Sequence, residues 1–255
     1  MLTASVWNKN NQKTLSLWES LCAIVPKLAA QKRPVVAFTG AGGKTSWIYA
    51  LVQELQEKGK RVLIVTTTKM YRPRQWGIID GNLSDIERGL SRQGIVVAGK
   101  RFLAEKITYI GDELLGEAKS LADVVLVEAD GARRMPLKIT GPEEPVIPPG
   151  TTAICAVVGL RALGQPLGQA CFRWNQTNLT CTTIITPTLL QDIWQTYCLD
   201  VLRQRYNVPI IPVIHQADTA TLQNLGRQLL QTLGESGIVS TFPPALRDGG
   251  YTYEP

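Results

Sequence analysis

The sequence predicts an α/β protein in three layers, with helices on both faces of a mostly parallel sheet. Two observations carry this. Apolar runs of strand length alternate with stretches of helical periodicity, the pattern that gives a parallel sheet covered on both sides. One of these runs passes through glycines directly into a helix. The 255 residues are 44% hydrophobic and 19% charged, ordinary globular usage that excludes a disordered, collagenous or coiled-coil chain.

Strands are expected at 34–38, 61–67, 95–98, 124–127, 153–158, 210–214 and 238–241. Between the first two, Trp47, Ile48, Leu51, Val52 and Leu55 repeat at helical spacing over 45–58, and Gly59 supplies a stop. Further helices are expected at 83–92, 112–122, 187–204 and 219–233. A stretch at 15–28 reads as a helix packed outside the sheet, so residues 1–30 form an N-terminal helical extension to a domain spanning 31–255. Within that domain 136–150 is a proline-rich excursion, and long loops of this kind are often functional. Pro212 cannot donate a ladder hydrogen bond, which pushes its strand toward an edge or a bulge.

No apolar run approaches the roughly 18–20 residues of a membrane span, and residues 1–13 lack the pattern of a secretory signal, so a cytoplasmic protein without a membrane role is expected. The net charge of +6 favours anionic partners. The cations are scattered apart from Arg72/Arg74 and Arg133/Arg134, however, and no basic stripe interleaved with aromatics is present, so nucleic acid is not an expected partner. The five cysteines contain no Cys-x-x-Cys pair, which argues for buried thiols rather than disulfides or a zinc ribbon.

Three motifs carry chemistry. In Thr39-Gly40-Ala41-Gly42-Gly43-Lys44-Thr45-Ser46 a strand turns through glycines into a helix, whose first amides and positive end suit phosphate oxygens. Lys44 would meet the outer phosphates, and the Thr45 hydroxyl would hold magnesium. The loop is shorter than the standard P-loop and similar to that of the ATP-dependent Mur ligases; the plainer reading is a turn between strand and helix. Next, the apolar strand at 124–127 runs into Glu128-Ala129-Asp130-Gly131, a Walker B-like pair of acids suited to organising Mg2+ or a water, although strand ends also carry acids because they reach solvent. Third, Lys69 follows Thr66-Thr67-Thr68 at the exit of another strand, where it could face a terminal phosphate. Arg133, Arg134 and Lys138 follow the acids closely enough to line the same pocket. In a parallel sheet all three strand ends meet at one crevice. The lone histidine stands in His215-Gln216-Ala217-Asp218, where Asp218 is read as a helix N-cap.

Taken in order, Gly40-Ala41-Gly42-Gly43-Lys44-Thr45, Thr66-Thr67-Thr68-Lys69, Glu128-Ala129-Asp130-Gly131 with Pro136-Leu137-Lys138, Glu144-Pro145-Val146-Ile147-Pro148, and Val158-Gly159-Leu160 with Gly164 resemble the YqeC family. That family is described as accessory to selenium-dependent molybdenum hydroxylases and is also called selenium cofactor biosynthesis proteins. The resemblance implies a P-loop NTPase-like fold and a nucleoside triphosphate, ATP or GTP, bound with Mg2+. It also implies a molybdenum hydroxylase, or its cofactor-assembly proteins, as partners; it does not imply a known reaction. The family pattern carries His-Arg where this chain has Phe172-Arg173, so Arg173 is the residue carried over there, as a contact to a second substrate.

The functional expectation is a Mg2+-dependent nucleoside triphosphatase or nucleotide-dependent transferase. Gly40, Ala41, Gly42, Gly43, Lys44, Thr45 and Ser46 bind the nucleotide, and Thr45 with Glu128 or Asp130 holds the metal. Lys44, Lys69, Glu128 and Asp130 serve catalysis, and Arg133, Lys138 and Arg173 serve the second substrate. The alternatives are a non-catalytic nucleotide-gated chaperone or carrier, and a Mur-like ligase.

Overall fold

The computed structural model describes residues 4–8 and 11–241; residues 242–255 of the expected domain lie outside the described residues. The strands are β1 (Ala4–Asn8), β2 (Asn11–Leu15), β3 (Val35–Gly40), β4 (Val62–Thr66), β5 (Met70–Tyr71), β6 (Gly77–Ile79), β7 (Ile95–Leu103), β8 (Lys106–Thr108), β9 (Val124–Glu128), β10 (Leu137–Lys138), β11 (Ala153–Gly159), β12 (Cys171–Phe172), β13 (Ile210–His215) and β14 (Gly237–Ser240). The helices are α1 (Leu17–Ile24), α2 (Lys27–Ala30), α3 (Lys44–Glu57), α4 (Leu83–Gln93), α5 (Asp112–Ala118), α6 (Leu167–Ala170), α7 (Pro187–Trp194), α8 (Asp200–Arg205) and α9 (Ala220–Leu233).

The sheet runs β2-β1-β14-β13-β11-β3-β9-β4-β7-β8-β5, with β6 beside β7. From β14 to β7 every pairing is parallel. β3, β4, β9 and β11 are buried along their whole length, as expected of strands covered on both faces. Alternation divides their side chains between two cores: Val35 and Ala37 pack with α4, α5, α7 and α9, while Val36 and Phe38 pack with α1 and α3. This is the expected three-layer arrangement.

The chain order places a site. From β3 the chain steps over the position of β9 to β4 and β7, returns to fill β9, and then crosses to β11 on the other side of β3. The order in which strands are added therefore reverses at β3, and a crevice opens at the carboxyl ends of β9, β3 and β11.

Three expectations need correction. Residues 1–30 are not helical throughout, because β1 and β2 form a hairpin that extends the sheet, β1 pairing antiparallel with β14 through Ala4↔Ser240 and Val6↔Ile238. Ala4-Ser5-Val6 alternates buried, half-buried, buried, a strand period. The helical part that follows is split at Pro26, which holds Val25 out of the helical region at φ −124° and ψ 85°. Pro212 lies in an interior strand, β13, between β11 and β14. Pairing with β14 begins only at Val213, so the proline sits ahead of that ladder. Finally, the helix expected over 187–204 is α7 and α8 joined by a π-helical turn, Gln195–Leu199.

Candidate phosphate-binding site

β3 ends at Gly40, and the chain reaches α3 through left-handed glycines, with φ +92° at Gly40, +83° at Gly42 and +114° at Gly43. Close packing requires two of them as much as conformation does. A Cβ on Gly40 would lie 2.2 Å from the Val157 carbonyl oxygen, and one on Gly42 would lie 2.3 Å from the Gly159 nitrogen, both backbone atoms of β11. The loop amides brace the turn. Gly40 N–H donates to Asp130 Oδ2 (3.0 Å), Ala41 N–H to the Val157 carbonyl (2.8 Å) and Gly42 N–H to the Met135 carbonyl (3.2 Å). The amides of Gly40, Ala41 and Gly42, expected to meet phosphate, are thus spent on protein acceptors. The first helical bond of α3 is Trp47 N–H to the Gly43 carbonyl, and no side chain caps this end, so the amides of Gly43 through Ser46 have no acceptor among the described residues.

Beside this helix end lies a buried chain of alternating charge. The Lys44 ammonium, 5% exposed, donates to the Gly40 carbonyl (2.5 Å) and pairs with Asp130 Oδ1 (3.0 Å). Asp130 is fully buried and also accepts from Thr39 Oγ1 (2.7 Å) and Lys138 Nζ (2.8 Å). Lys138 continues to the Gly131 carbonyl (2.9 Å) and Glu144 Oε2 (2.8 Å), which takes Nη1 of Arg173 (2.5 Å). Burial alone would raise the Asp130 pKa, but Lys44, Lys138 and the Gly40 amide outweigh it and hold the carboxyl below its usual range. Glu144 is lowered too, its partial burial being outweighed by Arg173 and Lys138.

Glu128, at the end of β9, accepts from the Thr45 hydroxyl at 2.8 Å. Burial pushes its pKa up, only partly offset by Lys44 and Thr45, so it is the more easily protonated of the two acids. The pair therefore divides its work. Asp130 gives Oδ2 to Thr39, Gly40 and Lys138, and its Oδ1 faces Lys44 without accepting a hydrogen bond among the described residues, whereas Glu128 and Thr45 stand together at the first turn of α3. Thr45 with Glu128 fits Mg2+ better than Asp130 does. Among the described residues no group of three or more His, Cys, Asp or Glu could hold a metal. A cation bound by one carboxylate and one hydroxyl, completed by phosphate and water, is the mode Mg2+ prefers.

The outer cations are placed differently from one another. Lys69 is exposed and rests on the Phe102 ring, 4.2 Å from its centroid, rather than against the glycine loop. Arg134 rests on Tyr71 at 5.0 Å. Arg133, Lys138 and Arg173 converge on Phe172, at 5.0, 6.0 and 4.7 Å. Pairing of β10 with β12, Leu137↔Cys171 and Lys138↔Phe172, brings them together, so the proline-rich excursion is what carries Lys138 beneath Asp130.

Sequence reasoning missed His215 as part of the loop. It is fully buried, a Cβ on Gly43 would lie 2.6 Å from its Cδ2, and its Nδ1 is 2.9 Å from the Ser240 hydroxyl, which also accepts from Trp47 Nε1. Burial lowers its pKa to about 4, so the ring is neutral at physiological pH. Asp218 is not the cap expected of it: Thr219 caps α9, and Asp218 pairs with Arg161 at 3.1 Å.

Residues 36–175, more than half of the chain, match the family model described as YqeC protein. The chain belongs to the YqeC family. A relative described as "Uncharacterized protein YqeC", from Escherichia coli strain K12, is 37% identical over 171 residues, covering 60% of this chain. The alignment takes in 63% of that relative's length. The YqeC match holds the glycine loop, Glu128, Asp130, Lys138, Glu144 and Arg173, whereas His215 and Ser240 lie beyond it. No helix among the described residues is long and apolar enough to cross a membrane.

Proposed function

We propose that the chain binds a nucleoside triphosphate, ATP or GTP, with Mg2+ at the N-terminus of α3, and hydrolyses or transfers the terminal phosphate. The observation that carries this reading is the uncapped first turn of α3, which follows left-handed glycines and is flanked by Lys44 and by Thr45 paired with Glu128. Amide donors and the positive helix end would take phosphate oxygens. Lys44 would leave Asp130 for them, and Asp130 would keep Lys138, Thr39 and Gly40 in place. Mg2+ held by Thr45 and Glu128 would neutralise charge on the phosphates. Lys69, resting on Phe102, would reach the terminal phosphate only by moving. The family resemblance supports a role in maturing molybdenum hydroxylases, with the hydroxylase or its cofactor-assembly proteins as partner.

A second reading, a nucleotide-gated carrier that hydrolyses little, is favoured by Phe172 standing where the family pattern has histidine. Incubating the protein with ATP or GTP and Mg2+, with and without Lys44→Ala, separates the readings. Enzymatic function predicts turnover that the substitution abolishes; the carrier predicts tight binding with negligible single-turnover hydrolysis. Turnover unaffected by Lys44→Ala would remove the site.

A further inference from the structure

Phe172 has a half-buried ring at the end of β12, and three cations gather on it. Their states differ. Lys138 is spent internally, 1% exposed between Asp130 and Glu144. Arg173 is a quarter exposed and gives one nitrogen to Glu144, leaving most of its donor fork. Arg133 is exposed and has no carboxylate partner among the described residues.

Both arginines are held there at a conformational cost. Their backbones are left-handed, φ +48° at Arg133 and +65° at Arg173, a region side chains of this size rarely adopt. Gly141 makes the space, since a Cβ there would lie 2.7 Å from Nη1 of Arg173. A guanidinium resting on a ring by its face keeps in-plane N–H donors for a planar or tetrahedral anion. The cluster also adjoins the glycine loop, because Lys138 bonds both Asp130, which fixes that loop, and Glu144, which holds Arg173.

The geometry points to a second anion subsite, in which Arg133 and Arg173 bind the carboxylate or phosphate of a second substrate against Phe172, beside the nucleotide. This deepens the reading of the glycine loop and rests on it for the word second, yet the subsite is tested by substitutions outside the loop.

Inorganic phosphate and succinate are titrated calorimetrically into full-length Lys44→Ala, and into the same protein carrying Arg133→Gln in addition. Arg133 is exposed and unpaired with any described carboxylate, so its replacement should leave the melting temperature unchanged. Adding Arg173→Lys, which keeps the charge beside Glu144 but removes the fork, gives an independent second variant. The expected result is that Lys44→Ala retains binding of at least one anion and that each arginine substitution weakens it about tenfold, the loss of a charge-assisted bond. Preference for phosphate marks a phosphorylated substrate; preference for succinate marks a carboxylate. Failure of Lys44→Ala to bind either anion, or equal binding with and without Arg133, overturns the subsite. Wild-type protein that binds anions through Arg133 but no nucleotide would keep the subsite and reject the loop reading.

Discussion

Replacing Asp130 with asparagine tests whether the buried ion network holds the glycine loop. The carboxylate is fully buried between Lys44 at 3.0 Å and Lys138 at 2.8 Å, and it accepts from Thr39 and the Gly40 amide. Asparagine keeps one acceptor oxygen, removes the charge shared by two buried ammonium groups and turns an N–H2 toward donors. Removing one member of a buried ion pair typically costs about 3–5 kcal/mol. Lys138 retains Glu144 and the Gly131 carbonyl, and Lys44 retains the Gly40 carbonyl, which places the cost at the lower end, about 3 kcal/mol. At about 2–4 °C per kcal/mol for a chain near this size, the melting temperature should fall by about 6–12 °C. Thermal unfolding followed by circular dichroism at pH 7.5 measures it. A fall under about 2 °C would mean that the network does not hold the loop, and the reasoning from burial would be refuted.

Further outcomes follow from other contacts. Gly42→Ala places a Cβ 2.3 Å from the Gly159 nitrogen at φ +83°, and should lower the urea midpoint by the equivalent of about 2–5 kcal/mol; Gly59→Ala, at φ +68° with open space around it, should cost only about 1–2 kcal/mol. Equal midpoints for the two would contradict the packing account. His215, lowered from 6.5 to about 4, is neutral when folded and protonated when unfolded between those values. Its contribution, about 3 kcal/mol, is therefore complete above pH 6.5 and lost as pH falls toward 4, with Glu128, whose raised pKa works in the opposite sense, blunting the slope. His215→Gln should flatten stability between pH 6.5 and 4.5; an unchanged slope would assign it to other groups. Glu128→Gln should weaken the Mg2+-dependent part of nucleotide affinity by about tenfold or more while leaving Mg2+-free binding in place; loss of both together would mean that Glu128 serves the fold rather than the metal.

Much of this arrangement was legible because it is local. The apolar runs at 34–38 and 124–127 and the periodicity of 45–58 mark β3, β9 and α3, since the sheet and helix periods are written in consecutive residues. The glycine loop and the two acids follow from strand ends, and parallel topology brings them to one edge. What was hidden depends on partners far apart in sequence. Nothing near His215 says that its ring lies under Gly43, and the division of labour between Glu128 and Asp130 depends on Lys138 arriving from the excursion. Strand position alone points Lys69 toward phosphate, and it cannot reveal that Phe102 offers the side chain an aromatic surface. The β1–β2 hairpin escaped because its strands are only five residues each and β1 is held by pairing with β14, more than 200 residues away in sequence.

The most direct measurement is calorimetric titration of ATP and of GTP, each with Mg2+, into wild-type protein and into Lys44→Ala. Saturable binding of at least one nucleotide at a single site, weakened about tenfold or more by the substitution, is the result that triphosphate seated on the first turn of α3 predicts. Absence of binding heat for both nucleotides, or equal affinity in the two proteins, would contradict it.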